Sequence, residues 1–266
     1  MQNKLLGQNF LRNAAVLKKI IAAIDVRPGE FIFEIGPGHG ELTVPLAKAC
    51  REVGAHLTAI EKDAKLADDV RRALSNAGVH EVEIISGDAL EFLVSHIQRV
   101  APLSSFKIVG NIPYYLTGHL LRVISESLRY PRRCVFLVQK EVAERMIAGA
   151  GDMNRLAASV RFWSEPRIIA KVSKRDFYPQ PKVDSAVVAL DGRTSPAFHD
   201  ANRYFHALRT LFAQPRKTLL NNLAAAAEGG DKDDIVKQLA SIGVDAKLRP
   251  QTLSISQIAD IAGTMF

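Results

Sequence analysis

The sequence predicts a doubly wound α/β sheet with an antiparallel pair of strands at one edge, followed by a small all-helical domain. Three observations carry that expectation. Short apolar runs alternate with helix-length amphipathic stretches from residue 13 to residue 149. Two further strand-like runs, 166–173 and 183–190, follow with no helix long enough to cross over between them, as an antiparallel edge pair requires. Beyond Arg193 the periodicity is helical only. The boundary falls near residue 192, giving a sheet domain over 1–191 and a helical domain over 192–266.

Each element has its own signal. Residues 13–24 read as an amphipathic helix with Asn13 as its N-cap. A turn at Arg27, Pro28 and Gly29 leads into a strand at 31–35, which ends in the glycine-rich run Gly-Pro-Gly-His-Gly at 36–40. A helix follows from Glu41 to about Glu52, then a strand at 56–60 that ends at Glu61. Helix 64–77, strand 82–86 running toward Asp88, and a helix to Val100 repeat the unit. Strand 106–110 leads into Asn111, followed by helix 117–129, strand 134–138 and helix 140–149. The tail reads as helices at 199–213, 215–227, 231–241 and 255–262.

Composition narrows the class. With 47% hydrophobic and 24% charged residues in 266, the chain can bury a sizeable core. No apolar run is long enough to span a membrane and no signal-peptide core precedes the first helix, so a cytoplasmic location is expected. Cys50 and Cys134 stand singly in apolar surroundings and read as reduced core residues. The seven histidines show no ligand spacing, so no metal is expected, and a monomer is the working expectation. The net charge of +7 is localised: residues 122–182 carry 13 basic and 6 acidic side chains, and the flanking segments balance. Arg129, Arg132, Arg133, Arg145, Arg155, Arg161, Arg167, Lys171, Lys174 and Arg175 belong to it. Such a surplus is the footprint expected of a polyanion partner, although a merely solvated face would look the same.

In an open α/β sheet, ligands bind beyond the carboxyl ends of the strands. Gly36, Gly38 and Gly40, Glu61, Asp88 and Asn111 all fall there. The glycines let backbone approach a ligand, Glu61 is placed for a ribose diol, and Asp88 for an adenine amine. A dinucleotide fold also has a glycine loop and an acid. Here the spacing is Gly-x-Gly-x-Gly, and Pro37 removes an amide that a pyrophosphate would use. S-adenosylmethionine, with ribose and adenine but no phosphate, fits better.

Residues 107–115 (Lys-Ile-Val-Gly-Asn-Ile-Pro-Tyr-Tyr) then gain a task. Pro113 stiffens the turn. If the Asn111 side-chain oxygen and the carbonyl of Ile112 or Pro113 accept the hydrogens of an adenine amine, its lone pair is freed to meet a methyl group in line. Tyr114 is the candidate stacking ring, and Phe177 the candidate opposite wall, for a base that is unpaired or flipped out. An ordinary Asn/Pro turn and a core phenylalanine are the bland alternatives.

These motifs, with Leu-Gly-Gln-Asn-Phe-Leu at 6–11, Glu-Lys-Asp at 61–63 and Phe-Tyr-Pro-Gln-Pro-Lys-Val-Asp-Ser at 177–185, resemble the ribosomal RNA adenine dimethyltransferases, most closely the small-subunit branch. The match continues into the tail at 211–212 and 216–223. The resemblance implies a Rossmann-like class I methyltransferase sheet and a helical RNA-recognition domain. It implies dimethylation of two adjacent adenosines in a hairpin near the 3′ end of 16S rRNA, within the precursor of the 30S subunit. It further implies that Gln8, Asn9 and Leu11 close over the cofactor. Gly36, Gly38, Glu61, Asp88, Ala89 and Asn111 are its other contacts, and Asn111, Pro113, Tyr114 and Phe177 serve catalysis. Only Lys4 remains of the family's usual basic run before the Leu-Gly-Gln motif, and Pro215 stands where an arginine is common. The 23S rRNA dimethyltransferases of the antibiotic-resistance type share this chemistry, and a mainly structural small-subunit assembly factor is the reading from another class.

Overall fold

A computed structural model describes residues 9–100, 105–113, 115–127, 129–227 and 231–266. Its main sheet contains seven strands: β2 (Phe31–Ile35), β3 (His56–Glu61), β4 (Val82–Ser86), β5 (Phe106–Asn111), β6 (Arg133–Gln139), β7 (Ser164–Val172) and β9 (Ser185–Gly192). They lie in the order β4-β3-β2-β5-β6-β9-β7. The first five are mutually parallel, and β9 runs antiparallel to β6. Because β2 sits between β3 and β5, the winding reverses there, and a crevice opens beyond the ends of β2 and β5.

The inner parallel strands β2, β3, β5 and β6 are buried on both faces along most of their length, as helical crossovers demand, and the edge strand β4 is only partly covered. Helix α1 (Ala14–Ile24) packs Val16, Ile20 and Ile24 into the core, and Asn13 caps it by accepting from the amides of Ala15 and Val16. Helix α2 (Thr43–Val53) adds Leu46, Ala47 and Cys50 to the same cluster, which meets Ile32 of β2 and Leu57 of β3. Each such aliphatic side chain contributes roughly 1.5–3 kcal/mol on burial. Helices α3 (Ala64–Asn76), α4 (Ala89–Val100), α5 (Thr117–Ser125) and α6 (Lys140–Met146) complete the alternation. Both cysteines are buried and unbridged, and burial pushes the Cys50 thiol up to about 12.

Two elements escape the sequence pattern. One is a two-stranded antiparallel ribbon of β1 (Phe10–Leu11) with β8 (Phe177–Tyr178), in which Phe10 faces Tyr178 and Leu11 faces Phe177. The other is α7 (Arg155–Trp163), capped by Asn154 and burying Ala157, Ala158, Val160, Phe162 and Trp163.

The chain forms two compact units, 1–144 with 166–192 and 145–165 with 193–266. The second unit is therefore discontinuous, whereas the sequence places 145–165 with the sheet. The physical reason is α7, whose Phe162 ring packs at a tilt on Tyr204 at 4.5 Å and meets Phe205 at 5.0 Å. The Tyr204 hydroxyl donates to the Ala158 carbonyl at 3.1 Å. Helices α8 (Ala201–Leu211), α9 (Leu219–Ala226), α10 (Lys232–Ser241) and α11 (Ile255–Met265) make up the rest of that unit. No helix among the described residues is long and apolar enough to cross a membrane.

Candidate active site

The glycine loop shapes one wall of the crevice. Gly36, Gly38 and Gly40 have φ of 66°, 62° and 94°, a region L side chains rarely adopt. At Gly38 a Cβ would stand 2.8 Å from the Phe10 ring, so the loop and β1 close on each other only because that atom is missing. The Phe10 ring also packs on His39, with centroids 4.5 Å apart.

The acids stand at the strand ends, in the order expected. Glu61, at the end of β3, is 5% exposed and accepts from the amides of Gly38 (3.2 Å) and Asp63 (3.0 Å). Burial raises its carboxyl, and those amides work against the rise. Asp88 accepts from Lys62 Nζ at 3.0 Å and from the Leu90 amide at 2.8 Å. Burial works to raise the Asp88 carboxyl, but these bonds together outweigh it and hold the group below the usual carboxylate range.

Asn111 ends β5. Its Nδ2 donates to the Asn9 carbonyl at 2.8 Å. A carbonyl can only accept, so this bond fixes the flip of the amide and leaves Oδ1 as the acceptor pointing elsewhere. The Ile112 amide is tied to the Leu137 carbonyl at 3.1 Å. The Pro113 carbonyl already accepts from the Leu116 amide at 2.9 Å and the Thr117 hydroxyl at 3.4 Å. Of the two main-chain oxygens expected to help Asn111, Pro113's is thus already engaged in the turn that follows it.

Two adjoining cavities with shared lining residues result. The first, about 790 Å³ with its open mouth, is lined by Asn9, Leu11, Gly36, Gly38, Asn111 and Pro113, together with Glu34 and Glu41. The second, about 530 Å³, is lined by Asp88, Ala89, Lys62 and Tyr115, and shares Gly36, Glu61 and Pro113 with the first. Among the expected residues, Gln8 and Tyr114 lie outside the described residues. Phe177 is not an open wall: it is 5% exposed and belongs to the core cluster with Leu11 and Val16. Strand alternation sends it inward and its neighbour Tyr178 outward.

Glu34 is the residue the sequence reading missed. It lines the first cavity at 1% exposure, and its Oε2 is buried without a hydrogen-bond partner. Burial, with smaller contributions from Glu61 and Glu41, pushes its carboxyl up to about 8. The signal was present: it is the single charged residue in the strand Phe-Ile-Phe-Glu-Ile.

Comparison with known proteins agrees with this geometry. Residues 1–265 match the family described as ribosomal RNA adenine dimethylase. The ribosomal RNA small subunit methyltransferase A of Pelotomaculum thermopropionicum is 40% identical over 97% of this chain and 90% of its own. That of Moorella thermoacetica is 38% identical over 97% and 91%. Among solved structures, a dimethyladenosine transferase from Plasmodium falciparum superposes with a TM-score of 0.77 at 25% identity, covering 95% of each chain. The 23S rRNA methyltransferase ErmE superposes at 0.72, also 25% identical, over 96% of this chain and 99% of its own.

Proposed function

The chain belongs to the ribosomal RNA adenine dimethylase family, and from that premise we propose that it moves methyl groups from S-adenosylmethionine to two adjacent adenosines near the 3′ end of 16S rRNA, in the small-subunit precursor. The cavity suits that cofactor. Among its described lining residues the first cavity carries Glu34, Glu41 and Glu61 and no lysine or arginine. Such a lining offers a pyrophosphate no cationic partner and gives a sulfonium and an ammonium carboxyl groups that they can select as carboxylates. In the second cavity the cation Lys62 is already bonded to Asp88. Glu61 would hold the ribose, Asp88 and Ala89 the adenine, and Glu34 with the glycine loop the amino-acid tail. When bound, S-adenosylmethionine supplies an electrophilic methyl group.

The chain's own contribution is orientation. Asn111 Oδ1 and the Ile112 carbonyl accept the two hydrogens of the adenine amine, drawing its nitrogen out of conjugation and aiming the lone pair at the methyl carbon. Pro113 keeps the bracket rigid, and the Asn9 carbonyl keeps the amide from flipping. The single observation that carries this reading is that fixed amide. The protein acts as a monomer in the cytoplasm and needs no metal.

The test presents methyl-free 30S particles and protein-free 23S RNA to the enzyme and counts dimethyladenosines by mass spectrometry. Two adjacent ones on the small-subunit RNA are expected. Transfer to 23S RNA alone would overturn the choice of substrate.

A further inference from the structure

We propose that the exposed ring of Tyr178, with the Arg12 guanidinium stacked on it, is the platform on which the base next to the target adenosine rests while the target occupies the cleft. The inference rests on the function proposed above and concerns how the same site holds two adjacent nucleotides.

The ribbon that carries this pair is a continuation of the cleft wall. Asn9, Phe10 and Leu11 line the cavity, and Asn9 is bonded to Asn111. Tyr178 pairs directly with Phe10, so it stands one strand spacing outside that wall. Tyr178 is 55% exposed, whereas Phe177 beside it is buried. The Arg12 guanidinium carbon lies 4.2 Å from the ring centroid. Its backbone is pinned, the Arg12 amide donating to the Asp176 carbonyl at 2.8 Å. Nearby acids are turned to internal tasks. Asp176 accepts from Asn13 Nδ2 and the Ser173 amide, and Asp184 accepts from the Lys174 amide. Arg175 and Lys182 remain exposed on the same stretch of chain. A flat, cationic surface is thus built on the strand paired with the cavity wall.

The chemistry calls for such a surface. Drawing one adenosine out of a loop costs its neighbour a stacking partner. An aromatic ring and a guanidinium plane replace that partner for any base, because every base has a π-face. Where the two target bases are consecutive, each in turn needs this resting place.

The experiment uses small-subunit particles reconstituted with RNA whose 3′ hairpin carries either the natural adenosine or an abasic nucleotide next to the target. With the natural particle, Tyr178→Leu should raise KM by about 10-fold or more and change kcat less, and Tyr178→Phe should behave as the parent protein. With the abasic particle, Tyr178→Leu should have no further effect. Arg12→Gln provides the second variant and should reproduce the pattern in weaker form. A 2-aminopurine at the neighbouring position should be quenched on binding to the parent protein and not to Tyr178→Leu. Equal losses on both particles, or none on either, would overturn the platform. Failure of the parent protein to methylate the natural particle at all would instead remove the underlying reading, and the platform with it.

Discussion

Glu34 shows how much one buried atom can decide. Its buried carboxyl, raised to about 8 by burial with help from Glu61 and Glu41 and against the opposing Thr43 hydroxyl, favours a proton there at neutral pH in the free protein. A cationic ligand selects the carboxylate. Its affinity should therefore rise as pH rises, approaching tenfold per unit below about 8 and levelling above it. Titration calorimetry in buffers of different ionisation enthalpy should show close to one proton released per S-adenosylmethionine at pH 7, and Glu34→Gln should abolish the release. Stability runs the other way. A carboxyl raised in the folded state binds its proton longer than in the unfolded chain, so folding weakens between the unfolded value of 4.5 and about 8. The slope should approach about 1.4 kcal/mol per pH unit, and Glu34→Gln should flatten the melting profile across that window. At this scale the positions of Glu61 and Asn111 were legible because each ends a strand, and that of Asp88 because it follows β4 by two residues. Glu34 was legible only as a lone charge in an apolar strand; that its strand's inward face borders a cavity was not. The burial of Phe177 was not legible for a similar reason: an aromatic beside prolines gives no sign of which face its strand turns to the core.

Elements were legible where periodicity is long and caps are ordinary, as in α1 with Asn13 and in the β2–β3–β4 alternation. The β1–β8 ribbon has two residues per strand, too few for any period to register. Helix α7 was hidden by a Gly-rich run before it and by a strand beginning at the next residue, though Asn154 and the apolar spacing after it mark the helix in retrospect. Strand β5 makes a sharper prediction. Gly110 faces Ile35 in register, and a Cβ there would collide with the Ile35 carbonyl. Gly110→Ala should push β5 from β2 just before Asn111. A loss of methyl transfer exceeding about 100-fold is expected, against at most about 3 kcal/mol of stability, by kinetics and denaturant titration. At the other end of the strand, Lys107 lies 2.7 Å from Glu30 with both side chains buried. Lys107→Met strands the Glu30 charge and should cost about 3–5 kcal/mol, and Lys107→Met with Glu30→Gln should recover much of it.

For the whole molecule, the charge surplus is the property that sequence could locate but not apportion. Part of it is internal. Arg133 and Arg167 both bond Asp191, and Arg133 also donates to the Ala23 carbonyl at 3.0 Å. Arg161 donates to the carbonyls of Ala148 and Ile147 at 2.8 and 2.7 Å. Burial works to raise Asp191, yet its two arginines outweigh it and hold it ionised, as a close ion pair requires. Arg133 and Arg161 support the fold and are poorly placed to meet a phosphate, whereas Arg167 holds Asp191 from an exposed position. Arg132, with a side chain 62% exposed, Lys171, Arg175 and Lys182 face water instead. RNA affinity should fall linearly on a log–log plot against salt, because each neutralised phosphate releases a counterion. Reversing Arg132 and Arg175 to glutamate should weaken binding and reduce the magnitude of that slope by about 1 for each phosphate no longer neutralised. Arg133→Glu should lower the melting temperature, because it removes a bonded partner from Asp191, and leave the slope of the surviving folded protein nearly unchanged. Filter binding across a salt series, with melting curves on the same preparations, separates the two classes. A slope insensitive to Arg132 and Arg175 but flattened by Arg133→Glu would show that the RNA reads the face where Arg133 lies.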